Sequence, residues 1–239
     1  MALLPFGERA AARPQGNTTP QKIRIVLVGD STVTEDSGWG AGFRILAGSG
    51  VEVVNLAANG RSSKSYLDEG RWKEAIGRRG HYYLIQFGHN DEPGKGPERE
   101  TDPETTFRAN ISRYVDEARA AGATPVLFSS IVRRQFNATG VLVDTHGVYP
   151  WVARAVARET GAPFVDLQLL TEELVIRAGP EGSKRLYIWV EAGQYPAFPQ
   201  ARQDDTHLSP AGASEVARLA ARELRRLGGA LAAHVTGVE

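Results

Sequence analysis

Apolar runs and amphipathic stretches alternate along the chain from residue 22 onwards. Five short runs are rich in aliphatic and β-branched residues and are followed by glycine or polar residues, as buried strands are. These five predicted strands are Ile23–Gly29, Val51–Leu56, Tyr82–Phe87, Thr124–Ser129 and Phe164–Leu167. The 3.6-residue spacing of apolar positions predicts helices over about 105–121 and 148–159. We therefore expect a single three-layer α/β/α domain with a mostly parallel five-stranded sheet.

The last predicted helix has a clear start. Ser209 is a suitable N-cap and Pro210 a suitable first-turn residue. Apolar residues share one face of this helix and arginines the other, which is typical of a solvated face near a helix C-terminus. We therefore do not interpret these arginines as a nucleic-acid site. The segment from Gly179 to Gln203 breaks the alternation, because it mixes aromatic residues with glycine and proline, and we expect an elaborated loop there.

A chain of 239 residues is long enough to bury the core of one large domain. We expect a flexible N-terminal tail over 1–21, the domain over 22–230 and a C-terminal tail over 231–239. The apolar patch Ala2–Leu4 is too short for the core of a signal peptide, and no stretch approaches membrane-spanning length. The expected location is the cytoplasm, or the exterior if a leader has been removed.

Charge and cysteine usage exclude several classes of function. Lysine plus arginine and aspartate plus glutamate both number 28, so no basic excess points to nucleic acid or to a membrane surface. The chain has no cysteine, which excludes a disulfide framework, a thiol nucleophile and a cysteine-ligated metal.

The segment Gly29-Asp30-Ser31-Thr32 follows the first strand directly. A serine on a sharp turn at the carboxyl end of a first strand lies where open α/β sheets hold their sites. Taken alone, this composition is also that of an ordinary turn. Three later segments strengthen the functional interpretation: Asn59-Gly60-Arg61-Ser62, Gly88-His89-Asn90-Asp91 and Asp204-Asp205-Thr206-His207. Together the four segments contain the groups that acyl transfer needs.

Ser31 is the candidate nucleophile and His207 the candidate base. Asp204 lies three residues before the histidine, where its carboxylate can orient the imidazole, and the adjacent Asp205 is a less favoured alternative.

An oxyanion intermediate needs hydrogen-bond donors that converge on one oxygen. The candidates are the backbone N–H groups of Ser31 and Gly60 and the side-chain amide of Asn90. Taken singly, the glycine and the asparagine are equally typical of plain turns.

Two other chemistries are disfavoured by spacing. A metal site can be assembled by composition from His89, Asp91, Asp204, Asp205 and His207, but none has a recognised ligand spacing. A glycosidase acid/base pair can be sought in Glu35 with Asp36 or in Asp91 with Glu92, but adjacent loop carboxylates usually face solvent. We expect no metal and no cofactor.

The four segments resemble the conserved blocks of the SGNH (GDSL-type) hydrolases, and most closely those of its rhamnogalacturonan acetylesterase branch. Ser37-Gly38-Trp39-Gly40 also resembles that branch's Gly-Trp-Gly element. The resemblance covers about residues 23–227 and implies a flavodoxin-like fold and metal-independent hydrolysis of an acetyl ester on a carbohydrate. It implies the same roles for Ser31, Asp204, His207, Gly60 and Asn90, with an acetylated carbohydrate as the partner. Nothing points to a nucleic acid or a membrane.

Four further residues are candidate substrate contacts. Trp39, Trp189 and Tyr195 can offer apolar faces to sugar rings, and Arg61 can contact an acidic sugar. Core packing and a surface ion pair are the respective alternatives. A lipid esterase or thioesterase of the same superfamily, or a glycan-binding domain without activity, also remains compatible with the motifs.

Overall fold

The computed structural model describes residues 22–196 and 198–237. A five-stranded sheet with the order β2-β1-β3-β4-β5 forms its centre, and all of its strand pairs are parallel. The strands are β1 Ile23–Gly29, β2 Val51–Asn55, β3 Tyr82–Gln86, β4 Thr124–Phe128 and β5 Phe164–Val165. The predicted fold class is therefore confirmed, and the predicted ends of β2 to β5 lie only one or two residues too far along the chain.

Eight α-helices flank the sheet within the described part of the chain. They are α1 Gly40–Leu46, α2 Ser63–Asp68, α3 Arg71–Gly77, α4 Arg108–Ala120, α5 Tyr149–Thr160, α6 Leu167–Gly182, α7 Pro210–Leu227 and α8 Gly229–Ala232. The predicted helices correspond to α4, α5 and α7. The predicted cap of α7 is also present, because the Ser209 hydroxyl accepts a hydrogen bond of 3.1 Å from the Gly212 N–H.

The two faces of the sheet carry separate cores. Along β1, Ile25 and Leu27 pack into the core that α1, α6 and α7 cover, whereas Val26 and Val28 pack into the core under α2 to α5. Successive side chains of a strand point to opposite faces, so a strand covered on both sides is apolar throughout. This arrangement explains the uninterrupted apolar run over residues 25–28 of β1.

The segment 179–203 is not the irregular loop that we expected. It contains the end of α6, a 3₁₀ turn at Ser183–Leu186 and a strand, β6 Tyr187–Val190, which pairs antiparallel with β7 Arg202–Leu208. The sequence of β7 is almost wholly polar, so it lacks the alternation that identifies a half-buried strand. The candidate residues Asp204 and His207 consequently lie on a strand of a hairpin.

The packed domain continues beyond the expected boundary at residue 230. Leu231 and Val235 are buried, and Val235 forms an antiparallel bridge with Ala47. The first part of the predicted C-terminal tail is therefore part of the core, whereas the predicted N-terminal tail lies outside the described residues. Within the described residues, no helix combines the length and the apolar character needed to cross a bilayer.

Candidate active site

Ser31 lies on a tight turn at the carboxyl end of β1. A Cβ atom on Gly29 would come within 2.6 Å of the Gln86 carbonyl oxygen, so only glycine allows β1 and β3 to approach at this point. The Val33 N–H then donates to the Asp30 carbonyl at 3.1 Å and closes the turn. Only 7% of Ser31 is exposed, so the fold presents its hydroxyl in a largely desolvated place.

A buried chain of hydrogen bonds supports this turn from below. The Asp30 carboxylate accepts from the Thr32 N–H at 2.9 Å and from the Thr32 hydroxyl at 2.7 Å. Gln86 Nε2 donates to the same hydroxyl at 2.7 Å, and Trp39 Nε1 donates to Gln86 Oε1 at 2.9 Å. Burial raises the pKa of Asp30. Trp39 is fully buried, so the prediction that it stacks on a sugar is wrong, because its ring packs in the core and its N–H supports the turn.

His207 connects Ser31 to Asp204. Its Nε2 atom lies 2.8 Å from Ser31 Oγ, and its Nδ1 atom lies 2.8 Å from Asp204 Oδ2. The other oxygen of Asp204 accepts the backbone N–H groups of Thr206 and His207, each at 2.9 Å. Burial raises the pKa of Asp204, but these hydrogen bonds outweigh it and hold that pKa below its usual range. The carboxylate is therefore ionised and fixed against the imidazole.

Asp205, the alternative to Asp204, faces a different partner. Its carboxylate accepts from Arg134 Nη1 at 2.6 Å and from Trp189 Nε1 at 2.7 Å. Arg134 also donates its backbone N–H to the Asp205 carbonyl at 2.7 Å. Asp205 therefore ties β7 to the loop after β4 and does not contact the imidazole of His207.

Trp189 lies within this network and is not an open surface. The Arg134 guanidinium carbon lies 4.7 Å from its ring centroid, and Lys184 Nζ lies 4.6 Å from it. Both cations therefore make cation–π contacts with the indole ring that is the sequence-based candidate for stacking on a sugar. The predicted contact Tyr195 packs edge-on against Phe198 in the connection between β6 and β7, with the ring centroids 6.3 Å apart.

Gly60 adopts a left-handed conformation with φ of 74° in the loop after β2. The Ala58 N–H donates to the Gly29 carbonyl at 2.9 Å, which holds this loop beside the end of β1. Asn90 Nδ2 donates to the Arg61 carbonyl at 3.2 Å, which joins the loop after β3 to the same place. The backbone N–H groups of Ser31 and Gly60 donate to no acceptor among the described residues. The three predicted oxyanion donors thus lie on neighbouring loops that are joined to one another by hydrogen bonds.

Asp91 anchors the loop that carries Asn90, a role that the sequence analysis did not assign. Its buried carboxylate accepts from the Ser63 N–H and hydroxyl and from the Thr101 hydroxyl. Burial raises the pKa of Asp91 to about 7, although these hydrogen bonds lower it. The sequence feature that indicates this anchoring role is the position of Asp91 next to Asn90 in the Gly-x-Asn-Asp segment.

His89 and His146 form a second buried group beside Asn90. Their rings meet edge to face with centroids 4.5 Å apart, and His146 is held by Glu92 and the Ile131 carbonyl. Glu92 also pairs with Arg133 at 2.8 Å. Within residues 22–196 and 198–237, no three histidine, aspartate or glutamate side chains are arranged to hold a metal ion.

Arg61 forms the surface ion pair that was the alternative to a sugar contact. Its Nε lies 3.0 Å from Glu69 Oε2, and its Nη1 donates to the Asn59 carbonyl at 2.7 Å. The Arg61 guanidinium is therefore held by its own loop and by Glu69, the C-cap residue of α2.

Comparison with known proteins identifies the family. The model of the GDSL-like Lipase/Acylhydrolase family matches residues 27–214. The chain is 40% identical over 227 residues to rhamnogalacturonan acetylesterase RhgT of Bacillus subtilis, covering 91% of this chain and 96% of that protein. It is 29% identical over 215 residues to a rhamnogalacturonan acetylesterase of Emericella nidulans, covering 81% of each.

Solved structures show the same architecture. YxiM of Bacillus subtilis superposes with a TM-score of 0.72 at 27% identity, over 87% of this chain and 58% of that one. The acetylxylan esterase Axe2 of Geobacillus stearothermophilus shares the fold with a TM-score of 0.64 at 20% identity, over 89% of this chain and 98% of that one.

The fold and the family match define the protein as a carboxylic ester hydrolase. The chain belongs to the GDSL-like Lipase/Acylhydrolase family, and the predicted resemblance to the SGNH (GDSL-type) hydrolases is confirmed.

Proposed function

We propose that this protein is a serine esterase that removes O-acetyl groups from pectic rhamnogalacturonan or its oligosaccharides through an acetyl-serine intermediate. The observation that carries the reaction is the continuous chain of hydrogen bonds from Asp204 through His207 to Ser31, with both links at 2.8 Å. The name of RhgT, with 40% identity along almost the whole chain, supports the substrate.

Attack on the ester begins with a proton transfer from Ser31. His207 Nε2 accepts the hydroxyl proton as Oγ bonds to the acetyl carbon, and the imidazole becomes cationic. Asp204 stabilises this cation because its carboxylate is ionised and lies against Nδ1. Without this partner the developing charge would be only partly compensated in a half-buried site.

The carbonyl oxygen becomes negative as the tetrahedral intermediate forms. The N–H groups of Ser31 and Gly60, which have no acceptor among the described residues, and the amide of Asn90 are the donors for this oxygen. His207 then returns its proton to the departing sugar oxygen, and the C–O bond of the ester breaks. A water molecule then attacks the acetyl carbon as His207 Nε2 accepts its proton. His207 returns that proton to Ser31 Oγ, and acetate leaves the restored enzyme.

The test is acetate release from acetylated rhamnogalacturonan, acetylated xylan and p-nitrophenyl acetate. The expected result is fastest release from the pectic substrate, with Ser31→Ala and His207→Ala each lowering turnover by about 10⁴-fold or more. Ser112→Ala, a half-buried serine on α4 outside the site, is the matched control and should retain full activity.

Two outcomes would contradict this proposal. Substantial activity in Ser31→Ala would exclude the serine mechanism. Serine-dependent release from p-nitrophenyl acetate alone, with none from either polymer, would exclude the carbohydrate substrate and favour a lipid ester or thioester.

A further inference from the structure

Arg99 lies over the predicted oxyanion loop. It belongs to the segment after β3, and its Nη1 atom lies 4.0 Å from the place that a Cβ atom of Gly60 would occupy. Its Nε donates to Glu98 at 3.2 Å, while Nη1 and Nη2 have no acceptor among the described residues. Both terminal nitrogens of this half-buried guanidinium therefore remain free for a ligand beside Gly60.

Lys95 adds a second positive charge to the same segment. Lys95 forms no ion pair with any described residue and is half-buried. It is therefore an uncompensated cation on the segment that follows Asn90 and carries Arg99.

Arg202 lies on β7, two residues before Asp204. Its Nη2 atom contacts Asp204 Oδ2, while Nε and Nη1 have no acceptor among the described residues, and 48% of its side chain is exposed. One edge of the Arg202 guanidinium therefore contacts the Asp204 carboxylate, and the other edge faces solvent.

The chain as a whole has a formal net charge of zero, so these three cations are a local feature. A guanidinium with two free N–H groups binds a carboxylate through paired, charge-assisted hydrogen bonds, whereas a neutral sugar gains much less from such a site. A neutral, hydroxyl-rich glycan gives no reason to place three cations with free donors on the segments that carry Asn90 and Asp204. The arrangement fits a substrate that carries carboxylates near the acetylated sugar.

We propose that Arg99 and Lys95, on the segment after β3, and Arg202, which contacts Asp204 on β7, form a cationic rim that binds the uronate carboxylates of an anionic glycan. This inference rests on the proposed acetylesterase function and names the residues that bind the charged groups of its substrate. Arg61, the sequence-based candidate for this contact, uses Nε on Glu69 and Nη1 on the Asn59 carbonyl, whereas Arg99 keeps both terminal nitrogens without an acceptor among the described residues. Arg99 takes that role in its place.

The kinetic test compares acetylated rhamnogalacturonan oligosaccharides with the same oligosaccharides after reduction of their carboxyl groups. Arg99→Gln and Arg202→Gln should each raise KM for the acidic substrate about tenfold, the loss expected for a hydrogen bond to a charged group. KM for the reduced substrate should change less than twofold. Higher salt should weaken only the acidic reaction, because exposed charges are screened.

Arg226→Gln is the matched control, because Arg226 is an exposed arginine at the other end of the molecule. The adjacent Leu227 lines a groove with Tyr82 and Thr124, the first residues of β3 and β4, so this position lies at the amino edge of the sheet. The Arg226→Gln variant should leave KM unchanged for both the acidic and the reduced substrate. Because Arg202 also touches Asp204, its variant is judged by the ratio of the acidic and reduced substrates, which a general loss of turnover does not alter.

A binding measurement separates this inference from the proposed function. In the Ser31→Ala background, deacetylated rhamnogalacturonan oligosaccharides should bind at least tenfold more tightly than their carboxyl-reduced forms, and Arg99→Gln should remove the preference. Equal binding of the acidic and the carboxyl-reduced oligosaccharides would contradict the proposed cationic rim, even if the enzyme releases acetate from both. A preference in binding without any acetate release would support the rim and contradict the proposed substrate reaction.

Discussion

Arg134 Nη1 lies 2.6 Å from Asp205 Oδ1, so the carboxylate next to Asp204 in the sequence faces away from the imidazole of His207. Two adjacent aspartates on one strand thus have different tasks. Asp204 contacts the imidazole, and Asp205 holds β7 against the loop after β4.

This division predicts opposite profiles for the two asparagine variants. Asp204→Asn should lower kcat about 10³–10⁴-fold, because the imidazolium loses its anionic partner. Asp205→Asn should keep kcat within about tenfold of the parent but lower the free energy of unfolding by about 1–3 kcal/mol, the cost of weakening hydrogen bonds to a charged group. Steady-state kinetics and chemical denaturation check both. A larger kcat loss in Asp205→Asn would reverse the assignment.

The oxyanion donors predict a loss confined to turnover. Asn90→Ala should lower kcat about 10²–10³-fold with little change in KM, since its amide acts on charge that develops only in the transition state. Asn137→Ala, in the exposed connection after β4, is a matched control without that effect. If Asn90→Ala raised KM and kept kcat, Asn90 would be a ground-state substrate contact.

The burial of Trp39 predicts a stability effect. Trp39→Phe removes the N–H that donates to Gln86 Oε1 and leaves a buried acceptor unpaired, so the free energy of unfolding should fall by about 1–3 kcal/mol. Trp151, 64% exposed on α5, provides the control, and Trp151→Phe should change that quantity by less than about 0.5 kcal/mol. An unchanged stability together with a raised KM for oligosaccharides would restore the sugar-stacking role of Trp39.

Asp91 predicts a particular dependence of stability on pH. Its pKa rises from 3.8 to about 7 on folding, so between these values the unfolded chain releases a proton that the folded protein retains. Rising pH therefore favours unfolding through this group. The free energy of unfolding of the parent minus that of Asp91→Asn should fall between about pH 4 and pH 7. Denaturation curves at several pH values measure it, and a flat difference would show that Asp91 is ionised throughout.

Local patterns were sufficient for much of the fold. The apolar run of β1 and the cap at Ser209 predicted a strand and a helix start because both depend on neighbours within a few residues. The hairpin of β6 and β7 was missed because β7, Arg202–Leu208, has no apolar alternation. Its conformation depends on pairing with a strand that precedes it by more than ten residues.

Local pattern was enough to identify the residue types that follow the ends of β1 to β3, namely Ser31, Gly60 and Asn90, and to single out the segment Asp204–His207, which lies within β7. Parallel strands bring such ends to one edge of a sheet, so their proximity followed from the order of elements. The approach of His207 to Ser31 from the hairpin depends on tertiary packing, and so do the directions of side chains, as in Asp205 turning to Arg134 and Trp39 entering the core. Each of these choices depends on burial and on the positions of groups contributed by other loops and helices, which a local pattern does not specify.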